Sequence, residues 1–267
     1  MTTLLTWTDA GLAAAAVLLM MWAVWVASVP LRDVSIVDWF WGPAFALLGW
    51  VLLARLPDPS TRGVVLMAAV TLWAVRLARH LFLRSRGSAE DPRYAAMRER
   101  GGASFWWISL VKVFLFQGVL VLVIGAPIFQ VVGTPADLAP WGWLDALAGI
   151  VFVTGLVFEA VGDHQLTLFR DDPANRGKVL DRGLWRYTRH PNYFGDALVW
   201  WGVGLFACNT PSGWLSLFGP AIMTLLLWRV SGASLLESGL KLSRPGYLDY
   251  IQRTSEFVPW FPRKRNP

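Results

Sequence analysis

Long apolar runs separated by short polar turns constrain this chain more than any other feature of its sequence. Most of the runs hold about 20 residues or more, the length at which a helix crosses the hydrocarbon core of a bilayer. The predicted spans are about 10–29, 34–53, 63–83, 105–131, 143–169, 193–208 and 214–229. Only 16% of the residues are charged, against about 25% in a typical soluble domain. The sequence therefore predicts an all-α fold, a single polytopic membrane domain over residues 1–267 with about seven transmembrane helices.

The basic residues indicate how these helices are oriented. Most arginines and lysines fall in the segments 84–102 and 170–190 and in the tail 230–267. Cytoplasmic loops carry an excess of Lys and Arg, so these three segments are predicted to be cytoplasmic. With seven spans, the N-terminus then lies outside and the C-terminus lies in the cytoplasm. Apolar residues within the tail predict an amphipathic helix on the membrane surface.

The remaining composition argues against other classes of protein. One cysteine and three scattered histidines offer no spacing typical of a zinc site, so we expect no metal. A sequence pI of about 9.9 is compatible with nucleic-acid binding, but the basic residues lie beside apolar runs, as topology signals do. We therefore expect no nucleic-acid partner. We interpret the basic residues as signals that orient the helices in the membrane and as donors to an anionic ligand.

The segment from Arg186 to Asp196 places polar side chains at the mouth of the predicted sixth helix. Its sequence is Arg-Tyr-Thr-Arg-His-Pro-Asn-Tyr-Phe-Gly-Asp. Pro191 is suited to the first helical position, and a helix start rich in donors binds anions. Asn192, Asp196 and Trp200 are spaced by four, so they share one helix face. The pattern predicts a ligand site, and the alternative is a basic turn that anchors the helix to lipid head groups.

Charged side chains inside the spans are costly, and each is therefore a candidate for function. Asp38 lies early in the second span beside Trp39, and a carboxyl among indoles can serve as a proton donor. Arg76, on the third span, could pair with Asp38. The alternative for Asp38 is a structural hydrogen bond to another span.

An acidic stripe on the fifth span leads towards the basic loop. Glu159 and Asp163 are four residues apart and share a face with Arg170. Two acids on one face bind donors such as ribose hydroxyls, an amide or arginines. The alternative is an interhelical network of salt bridges.

The basic loop that follows is suited to a phosphate-bearing ligand. Six basic residues lie between Arg170 and Arg189, and Lys178 is one of them. Because no G-x-G-x-x-G motif follows a strand, any nucleotide must be held by helices and loops. Residues of the carboxyl end, including Arg229 and Glu237, could close over this basic loop.

Two segments of the chain resemble a known family. Residues 183–196 and 244–262 are similar to the signature and carboxyl end of the steroid 5α-reductase and sterol Δ14-reductase superfamily, and the resemblance covers about 159–262. A weaker resemblance over 34–42 is to bacterial membrane proteins of that group. The resemblance implies seven or more transmembrane helices, NADPH held on the cytoplasmic side and hydride transfer to an activated carbon–carbon double bond. It also implies a bacterial plasma membrane.

The resemblance extends to individual residues. The family's cofactor positions match Asp163, Arg170, Lys178, Tyr187, Asn192, Asp196 and Arg229. Asp38 stands where the 5α-reductases carry a glutamate that engages the 3-oxo group of the steroid. This sequence departs from the family at two places, because the tyrosine that partners that glutamate has no equivalent near residues 73–77, and a cofactor-binding histidine is replaced by Ala233. The best prediction for the substrate is a 3-oxo-4-ene steroid or another apolar enone that enters from the bilayer.

A second family shares part of the motif. Isoprenylcysteine carboxyl methyltransferases have a similar segment and tail, which Arg189, His190, Pro191, Tyr193, Gly195, Gly246, Tyr247 and Tyr250 also match. Those enzymes use S-adenosylmethionine. Asn192 followed by Asp196, the acidic stripe and the number of basic residues favour the reductase, because NADPH carries several phosphate groups. A lipid-binding protein without catalysis is a third interpretation.

The predicted site residues form two sets. The catalytic set is Asp38, Trp39 and Arg76. The cofactor-binding set is Glu159, Asp163, Arg170, Lys178, Arg186, Tyr187, Arg189, His190, Asn192, Tyr193, Asp196, Arg229, Glu237, Tyr247 and Tyr250.

Overall fold

The computed structural model describes residues 5–135, 138, 140–230 and 244–263. Its α-helices are α1 Trp7–Leu31, α2 Val37–Ala54, α3 Thr61–Ser85, α4 Pro92–Gly101, α5 Phe105–Ser109, α6 Phe116–Ile124, α7 Ala126–Val132, α8 Trp143–Asp171, α9 Pro191–Cys208, α10 Phe218–Leu225 and α11 Tyr247–Arg253. Short 3-10 turns lie at Val34–Ile36, Gly102–Ser104, Pro173–Asn175, Gly183–Arg186 and Gly213–Leu217, and π-helical turns lie at Leu110–Leu115 and Leu226–Val230. The described residues contain no strand, only an isolated bridge between Thr188 and Ser255.

Five helical segments are long and apolar enough to cross a membrane. They are Trp7–Leu31, Val34–Ala54, Thr61–Ser85, Pro92–Ile124 and Trp143–Asp171. The all-α architecture and the membrane character are confirmed. Four segments match predicted spans closely, but the fourth covers Pro92–Ile124 instead of 105–131. It ends before Gly125, and Pro127, which has no N–H to donate, lies in the first turn of α7.

The last two predicted spans are helical but are not among these five. The 18 residues of α9 fill the first of them. The second, 214–229, is a succession of 3-10, α and π turns. The 3-10, α and π helices differ in their number of residues per turn, so each change of helix type alters which residues share a face. The apolar composition of 214–229 alone did not predict these changes.

The chain divides into two compact units. Unit 1 comprises Met1–Trp141 and Ala207–Ser216, and unit 2 comprises Gly142–Phe206 and Leu217–Pro267. In unit 1, α2 packs against α1 and α3. A methyl group at Gly42 would come within 3.0 Å of the Ala74 Cα, so α2 and α3 approach closely at this point. The core there includes Phe45 and Trp73, both fully buried.

Unit 2 is organised by glycines that bring α8 and α9 into backbone contact. On α8 these are Gly155 and Gly162, and on α9 they are Gly195 and Gly202, each pair seven residues apart. A methyl group at Gly195 would lie 2.4 Å from the backbone N of Glu159. Small residues allow membrane helices to approach this closely. The two helices therefore bring the acidic stripe and the motif together.

Candidate functional site

Asp38, in the first turn of α2, is held by side chains from α4. The hydroxyl of Tyr94 donates to Oδ1 of Asp38 at 2.9 Å, and Nη2 of Arg93 donates to Oδ2 at 3.4 Å. Tyr94 is buried, whereas the Asp38 side chain keeps 27% of its surface exposed. A carboxyl fixed by two donors, with part of its surface open, is oriented and still accessible.

Gln117 completes this arrangement from α6. Its Nε2 donates to the hydroxyl oxygen of Tyr94 at 3.3 Å, so the hydroxyl hydrogen is free to point at Asp38. Gln117 follows the π-helical turn Leu110–Leu115, and such turns are frequent at functional sites because the extra residue re-aims the helix face. We refer to Asp38, Arg93, Tyr94 and Gln117 as the Asp38 cluster.

The segment before α4 fixes this helix against the start of α2. Glu90 accepts the backbone N–H of Val34 at 2.8 Å, and the Asp91 N–H donates to Ser35 Oγ at 2.7 Å. Arg98, on α4 itself, binds Glu90 at 2.7 and 2.8 Å. Burial opposes ionisation of Glu90, but the hydrogen bonds from Arg98 and Val34 outweigh it and hold the pKa of this carboxyl below its ordinary value.

The predicted catalytic set of Asp38, Trp39 and Arg76 stays a prediction, and the structure adds two neighbours of Asp38 to it. Arg93 and Tyr94 donate hydrogen bonds to the Asp38 side chain. The indole N–H of Trp39 donates to Ser85 Oγ at 2.8 Å. Tyr94 thus places a phenol beside Asp38, from a helix that lies in a segment predicted to be a loop.

In unit 2 the acidic stripe faces the start of α9. Asn192 Nδ2 donates to Oδ1 of Asp163 at 3.0 Å. Glu159, Asp163 and Asp196 are all buried. The backbone approach at Gly162, where a methyl group would lie 3.0 Å from the Asn192 N, keeps this amide and carboxyl in register. The Asp163 carboxylate of the acidic stripe therefore accepts an amide, which is one of the donors that the sequence allowed for it, and this amide belongs to Asn192.

The residues just before α9 are bound mainly to the C-terminal segment, residues 244–263. Arg189 donates through Nη1 to the carbonyls of Ile251 and Thr254, at 3.1 Å each. Its backbone N–H donates to the Ser255 carbonyl at 2.9 Å. Thr188 Oγ1 donates to the Phe257 carbonyl at 2.8 Å. The segment that the sequence predicted to bind an anion therefore uses many of its hydrogen-bond donors to bind the main chain of the C-terminal segment.

The same segment is bound to α11 through buried polar groups. The hydroxyl of Tyr250 donates to the Trp185 carbonyl at 2.5 Å, and burial raises the pKa of this phenol above its ordinary value. Arg253 binds Asp181 at 2.7 Å, and this ion pair raises the pKa of the guanidinium. His190 stacks on Tyr193 with nearly parallel rings. Tyr247 is also buried, beside Tyr250.

The remaining predicted cofactor residues lie on the surface of unit 2. Arg170, Lys178, Arg186, Tyr187 and Arg229 are exposed. Arg229 lies over the ring of Trp228, 4.3 Å from its centroid, and the Lys178 carbonyl accepts a hydrogen bond from Arg244. Glu237 lies outside the described residues. Unit 2 thus presents these cations at its surface, whereas Arg189, His190 and Pro191 of the motif are buried.

These features define a class: a helical membrane protein with a carboxyl–phenol pair at the start of one helix and an Arg-His-Pro-Asn-Tyr motif at the start of another. The chain belongs to the family described as "Protein of unknown function (DUF1295)", whose model matches residues 24–254. This membrane family is related to the steroid reductases and to isoprenylcysteine methyltransferases.

Two curated relatives carry further information. An uncharacterized protein of Schizosaccharomyces pombe is 25% identical over 233 residues, which is 73% of this chain and 66% of that protein. A probable O-methyltransferase of Ustilaginoidea virens, ustE, is 35% identical over 82 residues, which is 31% of this chain and 27% of that protein. The chain thus spans less than two thirds of the length of either relative. No solved structure is a significant match.

Proposed function

We propose that this protein is an NADPH-dependent membrane reductase that saturates the carbon–carbon double bond of an apolar enone. The observation that carries the proposal is the Asp38 cluster, in which a carboxyl is held by a phenol and a guanidinium. Reduction of an enone develops negative charge on the carbonyl oxygen, and fixed proton donors stabilise that charge. A 3-oxo-4-ene steroid is the best specific candidate.

Each member of the cluster has a defined task in this proposal. The protonated Asp38 carboxyl donates a hydrogen bond to the substrate oxygen and stabilises the enolate that develops when hydride reaches the β-carbon, and a proton then reaches the α-carbon to complete the saturation. Tyr94 and Arg93 orient the carboxyl, and Gln117 orients Tyr94. Removing one such donor typically lowers kcat by about 10²-fold to 10³-fold. The reduced nicotinamide supplies the hydride when bound.

Unit 2 has a donor set that fits the cofactor. The exposed cations suit a pyrophosphate and a 2′-phosphate, and the Asn192–Asp163 pair suits ribose hydroxyls or the carboxamide. The residues proposed to hold NADPH are Glu159, Asp163, Arg170, Lys178, Arg186, Tyr187, Asn192, Asp196 and Arg229. Arg189, His190, Tyr193, Tyr247 and Tyr250 remain in the proposed site as residues that position this loop, as their burial and contacts indicate.

The proposed topology keeps the orientation predicted from charge. Seven spans would include α9 and the helical segment 213–230, with the N-terminus outside and the C-terminus cytoplasmic. The cofactor residues of unit 2 would then face the cytoplasm of a bacterial inner membrane. The apolar substrate would enter from the bilayer.

Methyl transfer from S-adenosylmethionine is the second candidate. It is favoured by one observation, the local similarity to a probable O-methyltransferase. The shared motif residues are compatible with both cofactors. The Asp38 cluster and the number of exposed cations favour the reductase, since S-adenosylmethionine carries a single carboxylate and no phosphate.

The test measures cofactor binding to purified protein in detergent. NADPH fluorescence should change at micromolar cofactor, and Asn192→Ala should weaken that binding. Asn209→Ala is the matched control, because it removes an amide from unit 1 and should leave the affinity unchanged. Binding of S-adenosylmethionine without binding of NADPH would establish the methyltransferase instead.

A second measurement addresses the acid. Asp38→Asn should abolish enone reduction while leaving NADPH affinity unchanged. Asp33→Asn is its control, since Asp33 caps the turn before α2 by accepting the Ser35 N–H, and asparagine caps equally well. A fully active Asp38→Asn enzyme would remove Asp38 from the mechanism.

A further inference from the structure

The C-terminal segment presents two large aromatic side chains to its surroundings. Trp260 and Phe261 keep 70% and 77% of their surface exposed. They pack edge to face on each other, and Phe261 packs in the same way on Tyr187. We call Trp260 and Phe261 the aromatic edge, and Tyr187 is the ring on which it packs.

The backbone holds this edge in place. The Trp260 N–H donates to the Tyr187 carbonyl at 2.9 Å, and the Arg263 N–H donates to the Arg253 carbonyl at 2.9 Å. Thr188 binds the Phe257 carbonyl. The exposed rings are therefore fixed by a hydrogen-bonded framework and do not belong to a loose tail.

The level of the edge relative to the membrane follows from α8. This candidate span ends at Asp171. The loop after it runs back along the helix, because the Trp185 indole N–H donates to the Gly162 carbonyl at 3.1 Å and the Leu184 N–H to Gln165 Oε1 at 3.0 Å. Gly162 lies nine residues before the helix end, which is about 13 Å of helix. The 29 residues of α8 are about 43 Å long, whereas the hydrocarbon core of a bilayer is about 30 Å thick. The last 13 Å of the helix, after Gly162, therefore exceed what the core can contain. Tyr187 follows two residues after Trp185, so the edge is expected near the boundary of the core.

We propose that the aromatic edge is seated in the lipid head-group interface, and that this contact holds the C-terminal segment and the loop 183–190 against the membrane. Tryptophan and other aromatic rings favour that layer because one part of the ring is apolar and the other polar. Arg263, which is exposed and beside the edge in sequence, suits anionic lipid phosphates. The occupant of the surface is therefore the bilayer itself.

The test places a fluorescent probe at the edge. The native cysteine is replaced by Cys208→Ser, Trp260→Cys is labelled with an environment-sensitive dye, and the protein is reconstituted in nanodiscs of phosphatidylcholine and phosphatidylglycerol. We expect blue-shifted emission that is quenched by lipids carrying a nitroxide near the head group. Lipids with the nitroxide at the chain end, and aqueous iodide, should quench less. Ala174→Cys, in the exposed polar turn after α8, is the matched control and should respond mainly to iodide.

Two outcomes would overturn the proposal. Strong quenching by iodide with no response to the lipid nitroxides would place the edge in water. Protection from both quenchers, with energy transfer between labelled copies that rises with the number of proteins per disc, would assign the surface to a second copy of the chain. Labelling Phe261→Cys repeats the measurement with Trp260 intact. The experiment needs no turnover or cofactor, so it is independent of the proposed reaction.

Discussion

The Asp38 cluster and the motif before α9 use their polar side chains in opposite ways. In the cluster, side chains bind side chains: Gln117 to Tyr94, and Tyr94 and Arg93 to Asp38. Before α9, side chains bind the main chain of the C-terminal segment, as Thr188 and Arg189 do. The first arrangement orients chemical groups, whereas the second fastens two parts of the backbone together.

This difference changes how the motif is interpreted. An Arg-His-Pro-Asn-Tyr segment at a helix start suggests a ligand site, but its arginine and its preceding threonine act on the fold of unit 2. Asn192, by contrast, donates to another side chain, Asp163, and Lys178, Arg186 and Arg229 are exposed on unit 2. Mutations in the two regions should therefore separate activity from stability.

The largest effect is expected where α8 and α9 touch. Gly195→Ala places a methyl group 2.4 Å from the Glu159 N. The backbone of α8 at Glu159 can shift away only at a high energetic cost. We expect the free energy of unfolding to fall by about 3 kcal/mol, or the variant to fail to fold, because overpacking is costly. Thermal unfolding followed by circular dichroism in detergent measures it. Gly149→Ala, on the open side of α8 with no atom within 4 Å, should be neutral or slightly stabilising.

The next effect separates chemistry from folding in unit 1. Tyr94→Phe removes the hydroxyl that orients Asp38, and we expect kcat for enone reduction to fall about 10²-fold. NADPH affinity and the melting temperature should change little. Steady-state kinetics together with a thermal shift measurement check this. If the variant kept its full kcat, the assignment of Tyr94 to the reaction would be wrong. If the variant unfolded, the Asp38 cluster would stabilise the fold, as the motif before α9 does.

The smallest effect is expected from the matching change in unit 2. Tyr250→Phe removes the hydrogen bond to the Trp185 carbonyl and should lower stability by about 1 kcal/mol at neutral pH, with kcat preserved. Since the pKa of Tyr250 is raised in the folded protein, its contribution is present below the pKa of the unfolded phenol, about 10, and is lost as pH rises above it. Thermal unfolding between neutral and strongly alkaline pH should show this loss. In the phenylalanine variant the alkaline loss should be smaller, and an identical pH profile would contradict the assignment.

Much of the fold could be predicted from the sequence because the apolar runs have the length of a membrane span. Asp38 and the acidic stripe of Glu159 and Asp163 were singled out because polar residues are rare inside the spans, but the sequence did not predict that Asn192 donates to Asp163. The partners of Asp38 could not be predicted, since Tyr94 lies 56 residues away in a segment rich in arginine. The Asp-Pro start of α4 was readable as a helix start, but sequence does not say which helix that start meets.

The hydrogen-bond partners of Arg189 could not be predicted for a different physical reason. Its partners are backbone carbonyls, which every residue carries, so no side-chain pattern marks them. The π turn before Gln117 could not be predicted either, because five of its six residues are apolar, as most of their neighbours are.

The contact between the loop 183–190 and the C-terminal segment has a consequence for biosynthesis. Synthesis proceeds from the N-terminus, and α8, the motif and α9 leave the ribosome before residues 244–263 exist. Until the chain has been made at least as far as Phe257, Thr188 and Arg189 lack some of the carbonyls that they bind in the finished protein. The loop of the proposed cofactor site therefore acquires its final shape late, so a nascent chain would sit in the membrane before it could bind its ligand.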